Sequence, residues 1–280
     1  MTLSYACIAP HGSDVIPELA NERTLRSFEE TRKGMLNVAR EVKRARPDTI
    51  IIASPHNLRV HQHIAIVTAE NSSGTLRGWN APEKRASLKV KCNPSLAKEL
   101  LAAGTRRRLP VVGVNYGTFE GSNSDMAMDW GTFVPLWFFM HENRIRPKVV
   151  IVTPSREIPL ELNIAFGRTI ADVIEKKRER IAFVASADQA HAHKKNGPYG
   201  FSKAAAAYDK FMVKAIETDD IDSIKELSPK FVEAAKPDSL WQMAMLAGVS
   251  ERVPLTPRLY SYQVPTYFGM ICAGFQRDSE

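Results

Sequence analysis

The residues best suited to chemistry are imidazoles that stand just behind strand-like runs. His11 follows the apolar run Leu3 to Ala9 (LSYACIA), His56 follows Thr49 to Ala53 (TIIIA), and each is directly preceded by a proline. A third run, Ile181 to Ala185, breaks at Ser186 into a polar segment holding Asp188, His191 and His193 ahead of the turn signal Gly197-Pro198. In open α/β sheets ligands bind outside the carboxyl ends of the strands, so imidazoles at those ends face a substrate. Taken singly, a histidine is more often a structural hydrogen-bonder than a ligand. Three at the ends of three strands of one sheet converge on one rim. Two neutral imidazoles and one carboxylate on one face form the arrangement by which non-haem Fe(II) binds substrate and O₂ together. A further histidine not used as a ligand is then available as acid or base near neutral pH.

The elements that must position these groups are legible as alternating strands and helices. Residues 24 to 46 carry apolar side chains near the 3.6-residue period, which predicts a helix ended by Pro47. Residues 60 to 68 (VHQHIAIVT) alternate and predict a strand with His61 and His63 on one face. Residues 70 to 92 read as a long loop or hairpin, 94 to 103 as a helix and 110 to 114 as a strand. The stretch from 115 to 132 has no clear period, and an unpatterned loop of that length is usually functional or mobile. Helices are expected over 133 to 141, 159 to 180, 204 to 216, 221 to 227 and 237 to 247, a strand over 148 to 153, and a closing strand or hairpin over 258 to 275. This order predicts an α/β fold, one domain over residues 1 to 280, with a central mixed, mostly parallel sheet flanked by helices and the active site at the carboxyl ends of the strands.

Composition narrows the function classes. The chain has 280 residues, 44% apolar and 25% charged, in the range of ordinary globular proteins. No segment approaches about 18 consecutive apolar residues, and no basic-then-apolar leader opens the chain, so no membrane span and a cytoplasmic location are expected. The net charge of +7 is spread over several segments, such as Lys43 to Arg46 and Lys176 to Arg180, near helix ends and in loops. That pattern fits a solvated surface with a mild attraction for anionic substrates and no nucleic-acid partner. The three cysteines are far apart and form no CxxC pair. The glycine patterns of dinucleotide and nucleotide-phosphate sites, the serine elbow GxSxG and the zinc motif HExxH are all absent.

Several of these segments together resemble the class III extradiol dioxygenases, the LigB-type catalytic subunits that open catecholic rings. The matching pieces are PHG at 10 to 12, SPHN at 54 to 57, DWGTFVPL at 129 to 136, NIAFGRTIADVI at 163 to 174 and ASADQAHAH at 185 to 193. The resemblance implies that His11 and His56 bind iron and that His191 acts as acid/base beside substrate and O₂. It places the third ligand, a family glutamate, within residues 233 to 248. Asp238, three residues before Trp241, sits closest to that position, with Glu233 as the fallback; the structural alternative is that Asp238 caps the helix after Pro237. Many relatives read DHG where this chain has Asp129-Trp130-Gly131, which bears on substrate contacts at Trp130. His193 and Tyr199 are further candidates for contact with substrate, against a supporting role for His193 and an ordinary turn at 197 to 201. The resemblance implies Fe(II), with Mn or Zn as alternatives, a small aromatic substrate and O₂, and a homo-oligomer or a complex with a second subunit. Two competing readings remain: a non-catalytic partner subunit or metal-binding protein of the same fold, and a zinc-dependent hydrolase.

Overall fold

The computed structural model describes residues 2–116, 121–142 and 145–277. In chain order the elements are β1 (Leu3–Ala9), α1 (Glu22–Ser27), α2 (Glu29–Ala45), β2 (Thr49–Ala53), β3 (Ile64–Val67), β4 (Asn71–Arg77), β5 (Arg85–Lys91), α3 (Pro94–Arg106) and β6 (Val111–Val114). They continue with β7 (Asp125–Ala127), α4 (Trp130–Trp137), β8 (Lys148–Thr153), α5 (Leu160–Ile174), β9 (Ile181–Ser186), α6 (Lys203–Glu217), α7 (Pro229–Ala235), α8 (Leu240–Ser250), β10 (Leu255–Gln263) and β11 (Met270–Arg277). Eight strands form one mixed sheet in the order β10-β11-β1-β9-β2-β8-β3-β6, and β5-β4-β7 form a small second sheet.

The four central strands, β1, β9, β2 and β8, run parallel. Their sequences are near-continuous apolar runs because both faces are covered, as parallel sheets require. Alternate side chains go to opposite layers. Ile51, Val150 and Phe183 pack against α3, α5, α6 and α8, while Ile50, Ile52, Val149 and Val184 pack against α2 and α4. The register sets Ala9 beside Ser186 and Ala53 beside Ala185, so the strands finish level with one another. Whatever follows those ends shares one rim. β11 and β10 then extend the sheet antiparallel beyond β1.

α8 is brought to that rim by an unusually close helix crossing. Gly167 of α5 lies on the backbone of Met245, and Gly248 of α8 lies on the backbone of Ile164; a methyl group at either position would overlap main chain. Two glycines facing each other let the helices approach at backbone contact, and this fixes where the start of α8 stands. Among the described residues no helix is long and apolar enough to cross a membrane.

Several expectations are corrected. The helix over 24 to 46 is two helices that break at Phe28, because Asn21 and Thr24 form a reciprocal capping box that starts α1 early. The strand over 60 to 68 begins only at Ile64: Gln62 has φ 56°, and its N–H and the His61 ring both bond Glu157, which makes 60–63 a turn. His61 and His63 are therefore exposed and do not share a strand face. The unpatterned stretch 115 to 132 contains β7 and the start of α4, with residues 117–120 outside the described residues. Helix α4 is continued by a wider π turn, Phe138–Glu142. The segment 221 to 227 is a 3₁₀ helix, Ile221–Glu226, and α7 was not expected from the sequence.

The crossing yields a stability prediction. Gly167→Ala forces α8 away from α5 and lowers the unfolding free energy by about 1–3 kcal/mol, the usual range for overpacking a tight contact. Urea unfolding of the two proteins side by side checks it.

Candidate metal centre and pocket

Each central strand delivers polar groups to the rim: β1 leads to His11, β2 to His56, β8 to Arg156, and β9 to Ser186 and the loop with Asp188 and His191. Asp238 arrives from the opposite direction, just ahead of α8. Its N–H donates to the Gln189 carbonyl at 3.3 Å, and Pro237 pairs with Ala190 in a short bridge. The cap position of α8 is held by Ser239, so the Asp238 carboxylate is not a helix cap and turns toward the histidines.

The three donor atoms meet closely. His11 Nε2 lies 3.2 Å from Asp238 Oδ2 and 3.1 Å from His56 Nε2, and His56 Nε2 lies 2.8 Å from Asp238 Oδ2. Donors on one face of an octahedral metal site, with bonds of about 2.1 Å, stand about 3 Å apart. The triangle fits that face. Among the described residues this is the group of His, Cys, Asp or Glu side chains able to hold an ion; Glu233 is not in it and instead faces Lys236 at 3.5 Å on the surface. Two imidazoles and a carboxylate suit Fe(II), Mn(II) and Zn(II) alike.

Tautomers follow from the hydrogen bonds. The Ser186 hydroxyl donates to the Gly131 carbonyl, which can only accept, so toward His11 Nδ1 at 2.9 Å it must accept. His11 therefore carries its proton on Nδ1 and presents the Nε2 lone pair to the triangle. Burial lowers the His11 pKa, outweighing the nearby Asp188 and Asp129 carboxylates. Burial and the adjacent His11 push His56 down to about 3. Both rings are thus neutral, the form that binds metal.

Supporting contacts hold each donor in place. Trp130 stacks on His56 with ring centroids 4.2 Å apart. Asp129 caps α4 through Thr132 and accepts from Ser54 and Asn57, which ties the SPHN segment to that helix. Arg156 binds Asp238 Oδ1, leaving Oδ2 free, and its guanidinium lies over Trp241 at 4.7 Å from the ring centroid. Burial and the neighbouring Arg59 lower the Arg156 pKa to about 10, so it stays cationic at neutral pH. Asp188 Oδ1 accepts the His11 backbone N–H at 2.9 Å.

A cavity of about 620 Å³ opens beside the triangle, walled by His56, Asp238, Arg156, His191, Tyr199 and Trp241, with Arg59, Glu233 and Lys236 also on its lining. The His191 Nδ1–H donates to the Gln189 carbonyl at 2.9 Å, leaving the Nε2 lone pair free, and burial lowers the pKa of this ring. Phe268 stacks against it at 5.0 Å and Tyr199 meets it edge-on at 5.3 Å. Tyr199 is half exposed at the mouth. Two other candidates stand elsewhere. Trp130 lies on His56 and does not line the cavity, and His193 bonds buried Asp209 at 2.8 Å. Sequence reasoning missed Arg156 and Ser186. Arg156 follows its strand as the histidines follow theirs, and that position was the available signal.

Comparison with known proteins gives three likenesses. The sequence model of one family, the catalytic LigB subunit of aromatic ring-opening dioxygenase, matches residues 5–272. Protein CA_C1420 of Clostridium acetobutylicum is 26% identical over 263 residues, which take in 94% of this chain and 55% of that protein, so the chain spans about half the length of that relative. The uncharacterized protein JW3007 from Escherichia coli K12 shares the fold, with a TM-score of 0.58 at 14% identity over 97% of this chain and 99% of that one.

Two outcomes are expected. Ser186→Ala removes the acceptor that fixes the His11 tautomer, and metal affinity falls about 10- to 100-fold in a titration with Fe(II) or Mn(II). Because lowered pKa values keep His11 and His56 neutral as pH falls through 6.5, affinity measured against a competing chelator changes less than about 3-fold from pH 8 to 6. A pair of unperturbed imidazoles would weaken it roughly 15-fold over that range.

Proposed function

The chain belongs to the LigB family, the catalytic subunits of aromatic ring-opening dioxygenases, and on that premise we propose that it is a non-haem Fe(II) extradiol-type dioxygenase. Its substrate is a catechol or 2-aminophenol derivative, and both atoms of O₂ enter a ring-opened semialdehyde acid. The observation that carries this reading is the triangle of His11 Nε2, His56 Nε2 and Asp238 Oδ2, with sides between 2.8 and 3.2 Å, at the edge of a cavity that also contains a neutral histidine.

His11, His56 and Asp238 are the residues that would hold the iron. Bound there, Fe(II) supplies positive charge that acidifies the ring hydroxyl and a centre at which O₂ is activated. The protein's own groups do the rest. His191, neutral and with its Nε2 lone pair free, accepts the proton of the substrate hydroxyl and returns it to a developing oxyanion later in the reaction. Trp241, Ile158 and Leu240 give the cavity apolar walls for a planar ring, and Tyr199 narrows its mouth. Arg59 on the lining favours a ring that bears an anionic group, while Lys236 is paired with Glu233. Arg156 engages Oδ1 of Asp238, so Oδ2 is the oxygen that would be offered to a metal.

Protein loaded with Fe(II) under anaerobic conditions consumes one O₂ per catechol or aminophenol and gives a yellow ring-opened product. No O₂ uptake across a broad panel at full iron occupancy overturns the reading, and full activity with zinc in place of iron favours hydrolysis. His191→Ala keeps its iron and loses about 10²- to 10⁴-fold in kcat. Loss of iron from that variant would make His191 a ligand instead.

A further inference from the structure

We infer that Asp209, on α6 and outside the cavity, is the positioning residue that sets His191 for proton transfer. The inference rests on the reading of His191 as the proton-handling group. Asp209 is fully buried, yet it adds nothing to the metal triangle or to the cavity wall. Its two oxygens reach into the loop that carries His191. Oδ1 accepts the Ala190 backbone N–H at 2.9 Å. Oδ2 takes His193 Nε2 at 2.8 Å and the Tyr262 hydroxyl, from β10, at 2.9 Å.

The contacts fall on both sides of His191: residue 190 is gripped through its backbone and residue 193 through its ring. His191 is left as the part of this segment that turns to the cavity. Its own backbone N–H goes to the Ala235 and Lys236 carbonyls, and its Nδ1–H to Gln189 O, which orients the ring about an anchored main chain. The opposite side of the loop is closed by Gly269, whose N–H donates to Ala190 O at 3.1 Å and whose carbonyl accepts from Gln189 N–H at 2.8 Å. A side chain at 269 would overlap the Asp209 carboxylate, so this approach needs glycine. A buried carboxylate is costly unless its lone pairs are used, and here three donors, two from the loop and one from β10, satisfy it. An apolar residue would fill the position between Tyr208 and Met212 on the buried face of α6 more simply. The geometry it fixes is that of the loop.

The test uses full-length protein with and without iron. Asp209→Asn keeps the shape of the side chain and exchanges one acceptor for a donor. In the iron-loaded enzyme kcat falls about 10- to 100-fold, while KM and iron content stay within about 2-fold. Added to His191→Ala, the same substitution causes no further loss, because it acts through a ring already gone. Tyr262→Phe and His193→Gln, each removing one bond to Asp209, give smaller losses of about 3- to 10-fold with the same non-additivity, and they carry the test if Asp209→Asn does not fold. In metal-free protein, imidazole nitrogen NMR shows His191 as a single Nδ1–H tautomer, and Asp209→Asn turns it into a mixture; this readout is independent of any reaction. An unchanged NMR signal, a wild-type kcat, or an equal loss in the His191→Ala background overturns the inference. Wild-type kcat in His191→Ala overturns the reading of His191 itself, and the inference with it.

Discussion

Three lone pairs aimed at one point repel one another, and holding them there in a desolvated corner is the constraint on which the rest of this structure depends. Each donor has its own restraint. The Ser186 hydroxyl fixes the proton of His11 on the far nitrogen, the Trp130 ring stacks on His56 with its plane inclined by 29°, and the Arg156 guanidinium pairs with Asp238 through the oxygen turned from the histidines. None of these three supports is itself a candidate ligand. Burial keeps the rings uncharged, which removes the proton as a competitor for the same lone pairs.

The restraints are in place because the central strands end level. β1, β9, β2 and β8 are parallel and in register at their carboxyl ends, so short segments behind them meet without long loops. The carboxylate comes from outside this pattern, on the approach to a helix whose height is set by Gly167 and Gly248. A sheet edge and a helix crossing thus jointly define one triangle about 3 Å on a side.

Much of this was legible in the sequence. The runs before His11, His56 and Ser186 are strands in the structure, since uninterrupted β-branched and apolar residues of that length suit strands covered on both faces. The family likeness put Asp238 closest to the third ligand position, with Glu233 as the fallback and a helix cap after Pro237 as the lesser alternative for Asp238. What was not legible depends on distant partners. The alternation VHQHIAIVT looks like a strand, but Glu157, nearly a hundred residues on, draws His61 and Gln62 into a turn. Arg156 reads as one more surface cation until Asp238 is beside it. Asp209 stands at an apolar position of its helix, with Ala205, Tyr208 and Met212, and a charge in that register was a signal that spacing alone does not interpret.

One feature of the sheet order bears on how the protein is made. His11 and His56 come from the first two strands of the chain, yet those strands are not neighbours: β9 lies between them. During synthesis both histidines emerge early and have no fixed separation until residues 181–186 have been inserted between their strands. The carboxylate follows some fifty residues later still. An ion held by all three groups would therefore meet a chain in which β9 already joins β1 to β2, unlike the zinc of small domains that are unfolded without their metal.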